Sequence, residues 1–100
     1  MPRPAAAAAV QLDNERVRVT EWRFAPGTAT GFHRHEHDYV VVPLTTGALV
    51  LLENDQERES KLTAGGSYFR PAGVEHDVVN ASDSEVAFVE IELKSPTRQL

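Results

Sequence analysis

Short β-rich runs separated by turn residues make up most of this chain. Val17, Val19, Thr20, Trp22 and Phe24 crowd the segment from Arg16 to Phe24, which stops at Ala25-Pro26-Gly27. β-Branched and aromatic residues suit a pleated strand, and a Pro-Gly pair punctuates it. Phe32 to Leu44 reads as a second strand-like segment, with Val40, Val41 and Val42 in a row. Thr45-Thr46-Gly47 then turns into Ala48 to Glu53, and the pattern predicts that these two segments pair as a hairpin. The polar stretch from Asn54 to Lys61 is expected to be a loop at a hairpin tip, and Leu62 to Arg70 a returning strand broken early by Gly65 and Gly66. Pro71-Ala72-Gly73 marks another turn before a short strand from His76 to Asn80.

The last strand has the clearest alternation. Ala87, Val89, Ile91 and Leu93 share one side, which is expected to face the core, while Phe88, Glu90 and Glu92 share the other. No long stretch combines a helical period with a cap and a glycine stop, so helix is expected to be minor. About seven to nine short antiparallel strands predict an all-β protein, a small jelly-roll barrel. Trp22, Phe24, Phe69 and Phe88 are its aromatic core candidates.

Size and charge narrow the picture. A chain of 100 residues supports one domain, expected over residues 14–96, with a flexible arm at 1–13 and a tail at 97–100. Fifteen acidic against ten basic residues give a formal charge of −5, so nucleic acid is a poor partner. No apolar run approaches the roughly 20 residues of a membrane helix, and Met1-Pro2-Arg3-Pro4 before the alanines falls short of a secretion signal. No membrane partner and a cytoplasmic location are expected. The absence of cysteine leaves histidine, carboxylate and tyrosine as metal ligands.

All four histidines lie in two segments, His33, His35 and His37 in the first and His76 in the second. Residues two apart on a strand share a face, with Cα atoms roughly 6–7 Å apart, so the His33 and His35 imidazoles can meet on one cation. His76 would complete a three-point anchor for a divalent metal ion. Taken alone, an H-x-H pair more often marks an exposed strand; the third histidine is what favours ligation. In a regular strand His37 would share that face too, and it is assigned to the pocket lining or a structural role as readily as to the metal.

The two segments resemble the signature motifs of the cupin superfamily. Its second motif, G-x5-P-x-G-x2-H-x3-N, is met by Gly65, Pro71, Gly73, His76 and Asn80. Its first, G-x5-H-x-H-x3-4-E-x6-G, is met by Gly27, His33, His35 and Gly47, but Tyr39 or Val40 stands where the family has glutamate. The runs 21–27, 38–43 and 88–93 are similar to small bacterial cupins of β-alanine degradation. The resemblance implies a jelly-roll barrel with His33, His35 and His76 on the metal. Gly27, Gly47, Gly65 and Gly73 are read as backbone positions, and Asn80 as bonding the backbone of the following turn.

With no carboxylate ligand, three neutral imidazoles leave the full charge of a divalent ion, which favours a small anionic metabolite. Tyr39 is assigned to a hydrogen bond or proton donor beside the metal, and Arg70 to holding a substrate carboxylate in a two-pronged grip. The leading expectation is a metal-dependent, dioxygenase-like enzyme acting on a small organic acid or amino-acid-derived metabolite. The rival is a non-catalytic module that binds a metal or small molecule. Iron, zinc, manganese, nickel and copper are not distinguished, and no catalytic residue stands out. Valine on both faces of one strand, where only one face can be interior, predicts a homodimer.

Overall fold

The computed structural model describes residues 3–94, which form nine strands and no helix. The strands are β1 (Ala7–Asp13), β2 (Val17–Phe24), β3 (His33–Arg34), β4 (Asp38–Pro43), β5 (Gly47–Glu53), β6 (Gln56–Leu62), β7 (Tyr68–Arg70), β8 (Glu75–Val79) and β9 (Val86–Leu93). One sheet has the order β1-β2-β9-β4-β7 and the other β3-β8-β5-β6. Neighbouring strands run antiparallel, and the two sheets close into the expected small jelly-roll barrel. Phe24, Tyr39, Val41, Leu49, Leu51, Leu62, Val78, Val86 and Phe88 form the buried core between them.

Several local expectations are corrected. Residues 7–13, expected as a flexible arm, pair with β2 along their length, because the exposed backbone of β2 offers an edge to extend. The expected tail at 97–100 lies outside the described residues. No hairpin joins the second and third segments: β4 pairs with β7 and β9, and β5 with β6 and β8. The intervening turn crosses between sheets, pinned where the Leu44 and Thr45 N–H groups both donate to the Ala87 carbonyl and Ala87 N–H donates to Thr45 Oγ1.

The polar stretch after Glu53 is a strand, β6. It lies at a sheet edge and is largely exposed, so it carries no apolar alternation for a pattern to reveal. β9 faces opposite to its expected orientation. Phe88 and Glu90 point into the barrel at 7% and 8% exposure, while Val89, Ile91 and Leu93 belong to the outer face. Phe69 is likewise outward and 56% exposed, whereas Phe24 is fully buried and Trp22 packs against the core.

Candidate metal centre

The three predicted ligands come together at one end of the barrel. His33 on β3 sits directly opposite His76 on β8, and His35 follows β3 in a loop. That loop is held at both ends: His35 N–H donates to the Val74 carbonyl at 2.9 Å and Gly73 N–H donates to the His35 carbonyl at 2.8 Å. Gly73 makes this possible with φ of 95°, a conformation that a side chain would strain. The motif glycine therefore shapes the turn that fixes His35.

The imidazoles converge through one kind of atom. His33 Nε2 is 3.0 Å from His35 Nε2, which is 3.0 Å from His76 Nε2, and one ligand atom from each histidine falls within 4.8 Å of the others. The opposite ring nitrogens choose the tautomer. His33 Nδ1–H donates to the Gly31 carbonyl at 2.9 Å, and His76 Nδ1–H donates to Glu53 Oε2 at 3.0 Å. Each bond places the proton on Nδ1 and leaves the Nε2 lone pair facing inward. Burial, then the neighbouring His33 and His76, holds His35 far below the usual histidine value, at about 3. Burial also lowers His76, outweighing the opposing pull of Glu53. Neutral rings with lone pairs aimed at each other repel unless a cation or a shared proton lies between them.

Glu53, at the end of β5, was missed by sequence reasoning. Burial alone would raise its carboxyl, but hydrogen bonds from Arg58, His76 and Arg70 outweigh this and hold it below the usual range. It is thus an anion that orients His76. Arg70, assigned from sequence to a substrate carboxylate, instead donates from Nη2 to Glu53 Oε2 at 3.0 Å, and it also lines the cavity. Tyr39 is 2% exposed, and its ring stacks on His35 with centroids 3.9 Å apart and planes 19° apart. Burial raises its phenol further above the ordinary value, so Tyr39 can give a hydrogen bond but is a poor anionic ligand.

His37 stands outside the histidine cluster, because residues 35–37 bend out of the strand and break the alternation that would have aligned it. Glu36 and Asp38 are exposed, and Asp38 Oδ1 accepts the Ala72 N–H at 2.7 Å. Neither stands in for the absent glutamate. Asn80, fully buried, binds backbone as expected: Nδ2 donates to the Phe24 and Ser84 carbonyls, both at 2.8 Å.

Behind the histidines a narrow cavity runs into the barrel between the sheets, with Trp22, Tyr39, Val41, Phe88 and Glu90 among its lining residues. A family model described as a cupin domain matches residues 20–92. The chain belongs to the cupin family. As a cupin it is 62% identical over 92 residues to the beta-alanine degradation protein BauB of Pseudomonas aeruginosa, covering 92% of this chain and 97% of that one. A crystal structure of a cupin domain from Bordetella pertussis matches it at 61% identity and a TM-score of 0.92, covering 95% of this cupin and 99% of the other. The crystal structure of a protein from Thermus thermophilus matches at 29% identity and a TM-score of 0.70, covering 92% and 86%.

Proposed function

We propose that this cupin binds one divalent metal ion through His33, His35 and His76 and acts as a metal-dependent enzyme on a small organic acid. The observation that carries the reading is the convergence of three Nε2 atoms, two of them fixed as acceptors by Gly31 and Glu53. Two of the three nitrogen separations are 3.0 Å, short enough for both nitrogens of each pair to reach one ion at about 2.1 Å.

When bound, such an ion supplies Lewis acidity and, if redox-active, electrons for oxygen chemistry. The protein's own residues do the rest. Three neutral imidazoles cancel none of the ionic charge, which favours a carboxylate or enolate oxygen at the open side. Tyr39, kept protonated by burial, offers its Oη proton to that oxygen, and the apolar wall of Val41, Leu49, Leu51 and Val78 excludes water. The likeness to a beta-alanine degradation protein supports a small amino-acid-derived acid as substrate.

A non-catalytic binding module remains the second reading. It is favoured by the pairing of Arg70, the cation among the described residues lining the cavity, with Glu53. Elemental analysis of untagged protein, with oxygen uptake measured against short-chain acids, separates the two. His76→Ala is expected to lose the metal and to lower the melting temperature, because an ion that binds only the folded state stabilises it. Undiminished metal in that variant would overturn the assignment.

A further inference from the structure

Two polar groups on the cavity wall take no part in the metal centre. Glu90 and Trp22 both line the cavity from the five-stranded sheet. Thr20 of β2 pairs with Glu90 of β9 and Trp22 pairs with Phe88, so Trp22 and Glu90 are diagonal neighbours on the inward face. The Trp22 Nε1–H is buried with no hydrogen-bond partner among the described residues. It lies near enough to Glu90 to favour the charged carboxylate, yet closes no hydrogen bond with it. A buried donor left unpaired costs about 1–3 kcal/mol, and the Glu90 carboxyl beside it is 8% exposed with no ion pair to a cation among the described residues.

Their place in the fold sets them apart from the histidines. Tyr39 stacks on His35, and two residues further along β4 Val41 pairs with Glu90. At about 3.3 Å per residue, Glu90 lies one strand step, about 7 Å, deeper than Tyr39. The cavity therefore has a histidine end and an inner pair of polar groups, with apolar wall between. A protonated Glu90 and the Trp22 N–H present two donors, which suits a carbonyl oxygen; a hydroxyl can satisfy both groups whichever form Glu90 takes.

We propose that Trp22 and Glu90 form a second binding pole that holds a keto or hydroxyl oxygen of a short acid whose carboxylate lies at the histidines. The inference rests on the metal-centre reading for the position of that carboxylate. It assigns the substrate class as short oxo or hydroxy acids in preference to unsubstituted ones.

The test is calorimetric titration of metal-loaded protein with 3-oxobutanoate, 3-hydroxybutanoate and butanoate, which share one carbon chain. Fluorescence of Trp22, the single tryptophan, reports on the pole itself. The oxygen-bearing acids are expected to bind about tenfold more tightly than butanoate and to change the Trp22 emission. Glu90→Leu should abolish the preference while keeping butanoate affinity, and Glu90→Gln, which retains a donor, should keep it. Equal affinity for all three acids, or a preference that survives in Glu90→Leu, overturns the pole and leaves the metal centre standing. A preference that is equally strong in metal-free protein upholds the pole and overturns the placement of the carboxylate at the metal. Failure of all three acids to bind overturns the pole and the organic-acid substrate together, while metal content decides the histidine site separately.

Discussion

Burial drives the Glu90 carboxyl up to about 7 from an ordinary value of 4.5, with the Glu92 charge adding to the effect and the Trp22 N–H opposing it. The folded protein thus keeps a proton that the unfolded chain has already released. Stability from the neutral carboxyl is complete below about pH 4.5 and is lost as pH rises through about 7. Glu90→Gln, which stays neutral, is expected to be more stable than the parent by about 2–3 kcal/mol at pH 8 and nearly equal to it near pH 4.5. Urea denaturation of both proteins across that range checks the sign, and a gap that widens towards acid would refute it. Glu53 acts through geometry. Because it fixes the tautomer of His76, Glu53→Gln should weaken metal affinity about 10- to 100-fold, read by competition with a chelator, with the fold unchanged. Of the candidate ligands, His33 and His35 were legible because an H-x-H pair repeats a strand's period, and His76 because it stands in the second cupin motif. Glu53 and Glu90 were not, since Glu53 is a single carboxylate ending an apolar strand and Glu90 shares its face with Glu92, so only the three-dimensional register reveals which way each points.

At the scale of elements, sequence pattern succeeded where one face of a strand is buried and the other wet. β2 and β8 emerged close to their observed bounds for that reason. It failed for β6, wet along nearly its whole length, and for β9, where the inner face carries Glu90 and the outer face is the more apolar. The β5–β6 turn was hidden by the same polar stretch. Glu53 pairs with Gln56, leaving Asn54 and Asp55 as a two-residue turn with φ of 52° and 60°. Positive φ at both positions is the hairpin geometry that Asn-Gly satisfies best, and Asp55 carries a Cβ where glycine would carry none. Asp55→Gly is expected to stabilise the protein by about 0.5–1 kcal/mol and to raise its melting temperature by a few degrees. An unchanged or lowered melting temperature would show that the turn carries no strain at that residue.

At the scale of the whole molecule, the unexpected direction of β9 leaves an apolar outer face. Leu12, Val19, Ile91, Val40 and Phe69 are successive cross-strand partners, so one apolar row crosses every strand of the five-stranded sheet. Val17 with Leu93, and Val89 with Val42, continue it on either side. Val41 fills the core at 3% exposure while Val40 and Val42 turn outward, as the valine run requires of a single strand. Phe69, Leu12 and Leu93 remain 56%, 49% and 38% exposed, so the row is open to water at both edges of the sheet and at its centre. We propose that a second copy of the chain covers this face, since a continuous row of apolar residues can pair with its own copy about a two-fold axis. The cavity opens from the opposite face of the same sheet, so dimerisation would leave the histidines accessible and stiffen the strands that carry Trp22, Tyr39 and Glu90. Phe69→Lys sets two like charges into such an interface and should weaken the dimer by about 100-fold or more. Sedimentation is expected to show a dimer at micromolar concentration for the parent and a monomer for the variant, with the same β-type circular dichroism. A parent protein that sediments as a monomer would leave the row without a partner of its own kind.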